Sequence, residues 1–355
     1  MSVHYNTIPI KLIDWYKKNQ RELPWRNTAD PYKIWISEIL LQQTRVNQGL
    51  DYYYRFVERF PNVSSLANAH EDEVLKYWQG LGYYSRARNL HKAALQIMAI
   101  HQGVFPDNFR DVLALPGIGT YTASAICSFA YNQPYAVVDG NVYRVLSRLF
   151  NNPTPIDSNK GIKLFQNLAN ELLDRQQPGT HNQAIMEFGA LQCIPRNPRC
   201  EICTLNHECM AFANKTVSQL PVKSLKIKIK NLYYNYLNIK YQHYSFIGQR
   251  KEDNIWKNLY EFPIIEDIKL LNEKELLQNE KFKELFKDID NVYIRSISKR
   301  VVHILTHRKI SAQLINIEIT SLNDALKAYQ IIPSKEIDRY AVSRLMEIFI
   351  DDHLT

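Results

Sequence analysis

Four of the five cysteines fall within seventeen residues. Cys193, Cys200, Cys203 and Cys209 are spaced C-x6-C-x2-C-x5-C. Thiolates at that density hold a soft cation or a metal cluster. A structural zinc site is the plain alternative. Typical zinc modules use two close pairs set well apart, whereas this set is compressed and its first two members are six residues apart, which favours an iron–sulfur cluster. Arg196 and Arg199 lie between those first two cysteines and suit contact with phosphates, or else a solvated surface. The fifth cysteine, Cys127, sits in an apolar helical stretch and reads as a small buried hydrophobe.

Two carboxylates stand in contrasting settings. Such a pair can cleave a glycosidic bond, one carboxyl protonating the leaving group while the other stabilises the oxocarbenium-like sugar. Glu38 lies in Trp35-Ile36-Ser37-Glu38-Ile39-Leu40-Leu41-Gln42-Gln43-Thr44. On a helix its neighbours three and four away are Ile34, Trp35, Leu41 and Gln42, an apolar surround that raises a carboxyl pKa. Local pattern alone favours a simpler reading, a glutamate at the edge of the apolar stripe. Asp139, in Val137-Val138-Asp139-Gly140-Asn141-Val142, stands where an N-cap belongs. The helix dipole there would keep it ionised, although a plain structural cap reads the same way.

Two glycine turns add binding chemistry. Leu115-Pro116-Gly117-Ile118-Gly119-Thr120-Tyr121 leads into a helix, and its two glycines can aim backbone amides at an anion; an ordinary helix–helix turn has the same string. Gly80-Leu81-Gly82-Tyr83-Tyr84-Ser85-Arg86, with Arg88 beyond it, joins stacking surface to positive charge, as in a wedge that enters a base stack. The alternative is that one or both tyrosines pack in a core, and Tyr84 reads that way.

The elements that must position these groups divide the chain. At 355 residues, two domains are the natural expectation, and 45% hydrophobic residues suffice for globular cores. Residues 1–213 carry apolar positions at helical spacing, as in Val142, Val145, Leu146 and Leu149. From about 231 the pattern becomes aromatic and β-branched, as in Tyr233 to Ile239 and Val301 to Ile319. The join, 214–230, holds Pro221, Lys223, Lys226, Lys228 and Lys230 and reads as a basic linker. The last helix is expected near 334–350. The net charge of +8 is shared by both halves, with 22 Lys+Arg against 18 Asp+Glu in residues 1–220 and the same beyond, which suits a polyanionic partner. No signal-peptide core or membrane span is read, and clustered cysteines without a disulfide framework fit a reducing compartment.

Five strings occur together: Leu23-Pro24-Trp25-Arg26, Ser37 to Thr44, the hairpin at 115–119, Val138-Asp139-Gly140-Asn141 and the cysteine spacing. In this order they resemble the helix–hairpin–helix DNA glycosylase superfamily, and within it the MutY-type adenine glycosylases. The resemblance implies an α+β chain: an all-α helix–hairpin–helix domain (1–213) with a 4Fe–4S loop (193–209), then a Nudix-like α/β domain (231–355). It implies hydrolysis of the N-glycosidic bond of adenine mispaired with 8-oxoguanine or guanine in double-stranded DNA, by a monomer in the cytoplasm at the nucleoid.

The resemblance also implies roles. Glu38 would protonate the flipped-out adenine and later activate water, while Asp139 would stabilise or capture the sugar cation. Tyr121 and Asn141 would position them. Trp25, Arg26 and Gln183 would lie near the extruded base, Leu41 would line its pocket, and Gln43 and Tyr83 would enter the stack. Gln42, Thr44, Arg86, Gly117 and Gly119 complete the expected DNA surface, and the four cysteines would ligate one cluster. Endonuclease III-like relatives carry a lysine where Tyr121 stands, so tyrosine favours a glycosylase without strand cleavage; that relative's chemistry on oxidised pyrimidines, and a silent DNA binder, are the rivals. In the second domain, Asn254 to Pro263 resembles the family's Leu-Trp…Glu-Phe-Pro segment. Residues 270–290 hold glutamates but no glycine, so no pyrophosphatase activity is expected. The family's Phe-Ser-His reader is here Leu305-Thr306-His307. Thr306 keeps the hydroxyl, Leu305 loses an aromatic wedge, and all three also read as ordinary strand residues.

Overall fold

A computed structural model describes residues 7–224, 229–251 and 255–353. Met1–Asn6, Lys226 and Lys228 of the expected linker, and Asn254 lie outside the described residues. The chain forms two compact units, one of residues 1–68 with 89–226, the other of residues 69–88 with 227–355. The sequence reading kept 69–88 within the helical part; in the structure this segment groups with the C-terminal sheet.

The first unit is helical. Its elements are α1 (Ile8–Asn19), α2 (Pro31–Leu41), α3 (Val46–Arg59), α4 (Val63–Ala67), α7 (Phe109–Leu113), α8 (Thr120–Tyr131), α9 (Gly140–Leu149), α10 (Asn159–Leu172), α11 (Pro178–Leu191) and α12 (Met210–Ala213). Helix α6 (Ser85–His101) begins in the second unit and continues here, and α5 (Glu71–Trp78) belongs to the second. Among the described residues, no helix is long and apolar enough to cross a membrane.

Helix α2 starts on Pro31, whose missing N–H is no loss in a first turn, and is capped by Asp30, which accepts from Tyr32 N–H at 2.9 Å. Its residues Ile34 to Leu40 are all buried, so it is a central helix rather than a one-sided amphipath. Helix α8 is buried likewise from Thr122 to Ser128 and packs on α2; Cys127 is inside it, fully buried. Between α7 and α8 the chain turns at Gly117, whose φ of +78° lies in the left-handed region. A Cβ there would approach the Asn89 side chain to 2.7 Å, so glycine is required twice over. Helices α9, α10 and α11 share a core of Val142, Val145, Leu146, Phe165, Ile185 and Phe188, to which α1 adds Leu12 and Tyr16.

The second unit is built on a mixed sheet. The long strands β1 (Lys230–Tyr241) and β7 (Arg308–Ile319) pair in parallel from Lys230↔Arg308 to Lys240↔Glu318. Strands β2 (Tyr244–Gln249) and β4 (Ile264–Asp267) pair antiparallel with β1. Short β3 (Tyr260–Glu261) and β8 (Gln330–Pro333) lie on β2, while β5 (Val292–Ile297) and β6 (Val301–Leu305) lie on β7. Residues Tyr234 to Ile239 are buried without interruption, as expected of a central strand covered on both faces. One face packs Leu237, Ile239, Ile315 and Ile317 against Leu276 and Phe282 of α13 (Glu273–Gln278) and α14 (Glu280–Leu285). Asn272 and Asn279 cap those helices through side-chain acceptors. On β1, Tyr236 meets Phe349 of α15 (Arg344–His353), with ring centroids 6.0 Å apart. That last helix starts later than the sequence reading placed it, because 3-10 turns occupy Ser334–Arg339.

Candidate active site

A cavity of about 630 Å3 opens in the helical unit where the ends of α2, α8, α9 and α11 converge. Glu38 and Asp139 both line it, 101 residues apart in sequence. Glu38 is only 8% exposed, so it is not a surface glutamate of an amphipathic helix. Its Oε2 accepts a 2.8 Å hydrogen bond from the Tyr121 phenol at the start of α8. Burial pushes the Glu38 carboxyl up to about 7; the Tyr121 bond and Arg26 pull it down, and the Asp139 charge pushes it further up. The Tyr121 hydroxyl is in turn held far above its ordinary range, first by burial and then by the two carboxylates.

Asp139 is the N-cap of α9, and its Oδ1 accepts from Val142 N–H at 2.7 Å. Its Oδ2 accepts from the Asn141 side-chain amide at 2.8 Å. Burial still raises its pKa, and those donors together with Arg144 hold the rise back. The cap thus opposes desolvation through more donors than a helix end alone supplies.

Trp25, Arg26, Leu41 and Gln183 line the same cavity, as do the turn residues Gln42, Gln43 and Thr44. Gln43 is exposed, at a positive φ of 58°, and Gln42 donates to Thr122 Oγ1 at 3.3 Å. Gly119 lines the cavity as N-cap of α8, while Gly117 lies back in the hairpin and does not.

Two residues that sequence reasoning did not single out organise this site. Glu187 of α11, 1% exposed, accepts from both Arg21 and Arg26. The Arg21 and Arg26 guanidiniums reach its Oε2 at 2.6 and 2.7 Å. Burial opposes the charge, but the two arginines win and hold the Glu187 carboxyl down at about 2. Arg26 is thereby fixed at the cavity wall, beside Gln183, which accepts from Tyr16 Oη at 2.6 Å. The second is Arg144, whose Nη2 donates to Asn141 Oδ1 at 2.9 Å and to Gly189 O at 2.6 Å, and whose Nε donates to Cys193 O at 2.7 Å. Gly189 permits this, since a Cβ there would meet the Asn141 backbone oxygen at 2.9 Å. No local pattern marks either residue, because their partners lie up to 166 residues away.

The four cysteines form no disulfide and line one small cavity between α9, the end of α11 and the 193–209 loop. Arg148 of α9 donates to Cys193 Sγ at 3.4 Å and to the carbonyls of Ile194 and Pro195 at 2.8 and 3.0 Å. Among the described residues no three His, Cys, Asp or Glu side chains converge closely enough to hold a single metal ion. Four cysteine sulfurs around one cavity are a donor set that suits a soft metal or a metal cluster.

In the second unit the turn at 80–86 meets the hairpin between β6 and β7. Tyr83, 46% exposed and at φ +48°, and Thr306 share a 2.6 Å hydrogen bond between their hydroxyls. Leu305 ends β6, and Thr306 and His307 form an exposed two-residue turn into β7, with Leu305 opposite Arg308. Arg86 does not project outward from the turn. Its guanidinium sits over the Trp78 and Tyr83 rings and donates to the carbonyls of Leu81 and Gly82. Tyr84 is buried and donates to Val342 O at 3.1 Å. The resembling Glu261 of the 254–263 segment is spent on a buried ion pair with Arg250, at 2.8 Å.

Residues 36–170 match the model of the HhH-GPD superfamily of base excision DNA repair proteins, and residues 235–352 match the NUDIX domain. The chain is 38% identical over 267 residues to the adenine DNA glycosylase of Buchnera aphidicola subsp. Acyrthosiphon pisum, covering 75% of each chain. It is 34% identical over 375 residues to that of Arabidopsis thaliana, covering 88% of this chain and 58% of the other. In structure it is similar to a thermostable thymine-DNA glycosylase, with a TM-score of 0.55 and 29% identity over 59% of this chain and 97% of that one. The chain belongs to the adenine DNA glycosylase family. It is a base-excision repair glycosylase that acts on the N-glycosyl bond of adenine in DNA, and the expected α+β fold, helical and Nudix-like, is what these matches and the structure give.

Proposed function

We propose that this enzyme removes adenine mispaired with 8-oxoguanine or guanine in duplex DNA, acting as a monomer and without cutting the strand. The observation that supports the chemistry is a buried carboxyl with a pKa of about 7 sharing one cavity with a second, heavily hydrogen-bonded carboxyl. A base inside a duplex is out of reach, so the adenine must be extruded into such a cavity. Trp25, Leu41, Arg26 and Gln183 are at hand there to receive it.

Glu38, its carboxyl pushed up to about 7, is about half protonated at neutral pH and in that form gives its proton to the five-membered ring of the base. The glycosidic bond then breaks with its electrons on adenine, as the Asp139 carboxylate stabilises or captures the sugar cation. The Glu38 carboxylate takes a proton from the attacking water, which completes a retaining course. Tyr121 holds Glu38, and Asn141 holds Asp139. Among the described residues lining the cavity there is no lysine, so a Schiff-base route to strand cleavage has no amine at hand.

Cys193, Cys200, Cys203 and Cys209 would hold one 4Fe–4S cluster, which supplies a structural cross-link to the loop rather than chemistry at the sugar. Arg196 and Arg199 on that loop suit DNA phosphates. Tyr83, Gln43 and the turn at Thr306 and His307 would read the base opposite adenine, the Thr306 hydroxyl serving as the hydrogen-bonding group. The Nudix-like unit would read DNA and hydrolyse no nucleotide.

The test is single-turnover base release from duplexes with adenine opposite 8-oxoguanine, guanine, cytosine and thymine. Release confined to the first two supports the reading. Covalent trapping by borohydride on oxidised-pyrimidine DNA would replace it with a lyase.

A further inference from the structure

The turn at 255–258 has no role in the reading above, yet Trp256 within it adopts a backbone conformation unusual for its residue type. Trp256 and Asn258 both have a φ of +65°. A large aromatic residue is rare in the left-handed region and persists there only when its surroundings over-determine it. These surroundings do so. Asn258 N–H donates to Arg250 O at 2.7 Å, Leu259 N–H to Trp256 O at 3.0 Å and Gln249 Nε2 to Asn258 O at 3.1 Å. The Asn258 side chain also bonds Glu71. Trp256 is 8% exposed.

What the turn touches is more informative than how it is held. On one side the Trp256 ring packs 6.0 Å from His303, in the strand that runs into Leu305 and Thr306. On the other side Arg88 donates to Lys257 O at 2.8 Å, five residues along the chain from Tyr83. The sequence marked Arg88 as positive charge for DNA, but in the structure it reaches this carbonyl. The ends of the two arms then meet, because Tyr83 and Thr306 share their hydrogen bond. The contacts close a ring: Tyr83 to Thr306, along β6 to His303, across to Trp256, on to Lys257, across to Arg88 and back to Tyr83.

We propose that Trp256 and Arg88 are positioning residues for recognition of the base opposite adenine, holding the wedge turn and the reader hairpin at one spacing. The proposal rests on the reading of Tyr83 and Thr306 given above. Tyr83 and the Thr306–His307 turn are exposed, and the hydrogen bond between their hydroxyls joins two solvent-facing side chains. A turn with a buried Trp256 in the left-handed region, packed on His303 and bonded to Arg88, supplies a further constraint on their separation. Neither positioning residue touches the base, and neither belongs to the carboxylate cavity.

The experiment measures single-turnover adenine release by the full chain opposite 8-oxoguanine and opposite guanine, for Trp256→Ala, Trp256→Phe, Arg88→Gln and Thr306→Ala, with a thermal melt of each. Positioning predicts that Trp256→Ala and Arg88→Gln reduce the preference for 8-oxoguanine about tenfold while release opposite guanine stays within about twofold. Trp256→Phe, which keeps an aromatic ring beside His303, restores most of the preference. A purely structural role would lower both rates together and leave their ratio unchanged, and that result overturns the proposal. If Trp256→Ala does not fold, Arg88→Gln and Trp256→Phe still decide it by the same ratio. If Thr306→Ala reduces the preference and the positioning variants do not, the positioning claim is wrong. If Thr306→Ala also leaves it unchanged, the hairpin is not the reader and the underlying reading fails instead.

Discussion

The Tyr121 phenol donates a 2.8 Å hydrogen bond to Glu38, a carboxyl that burial has pushed up to about 7. The bond favours the ionised carboxylate, so it acts against burial and tunes the acid toward neutrality. Tyr121→Phe removes that opposing effect and raises the Glu38 pKa further. A general acid works while protonated, so base release declines as pH rises through its pKa. The decline should fall near pH 7 in the natural protein and at distinctly higher pH in Tyr121→Phe. Single-turnover rates between pH 5 and 9 check this, and an unmoved inflection would remove Tyr121 from the tuning.

The same burial has a stability consequence. A carboxyl whose folded pKa lies above its unfolded value of 4.5 loses stability as pH rises from 4.5 to about 7, because the unfolded chain releases its proton first. With Glu38 only 8% exposed, the loss is on the order of 3 kcal/mol. Glu38→Gln carries no charge and should therefore melt higher than the natural protein at pH 8, by several degrees, and show no such gain at pH 4.5. Melting curves at the two pH values check both halves.

Local pattern alone read Asp139 as a plain N-cap and Glu38, set among Trp35, Ile36, Ile39 and Leu40, as a glutamate at the edge of an apolar run; the resemblance singled both out. What the run could not tell was that α2 is buried on every side, since that depends on α8 and α3 arriving from elsewhere. Glu187 looked like any polar residue on α11, and only Arg21 and Arg26, 166 and 161 residues away, make it an ion-pair centre. The grouping of 69–88 was hidden for a related reason. An amphipathic helix shows that it has a buried face, not which core covers it. Lys76, Gln79 and Tyr84 reach the carbonyls and side chains of 338–347 by bonds that no local spacing encodes.

Arg144 joins Asn141 to the backbone of Cys193. Asn141 in turn bonds Asp139, so the cysteine loop and the Asp139 carboxylate share one support. Arg144→Leu should lower single-turnover release by about tenfold or more, the scale seen when a supporting partner of a functional group is lost. Arg144→Lys, unable to fork to three acceptors, should recover only part of it. Equal rates for natural and Arg144→Leu proteins would separate the loop from the site.

The cysteine loop makes a compositional prediction. The purified chain should carry about four irons and no stoichiometric zinc, as a single 4Fe–4S cluster requires. Cys203→Ser should lower the iron content and the melting temperature together. One zinc per chain, with no iron, would assign the loop to the tetrahedral alternative.

The account turns on Glu38 as the acid that frees the base. The most direct measurement is single-turnover adenine release from a duplex with adenine opposite 8-oxoguanine, comparing the natural protein with Glu38→Gln at pH 7. Glutamine fills the same space but cannot donate the proton or activate water. The account predicts release at least a thousandfold slower, with duplex binding retained, a barrier change of about 4 kcal/mol. Release at the natural rate by folded, DNA-bound Glu38→Gln would contradict it.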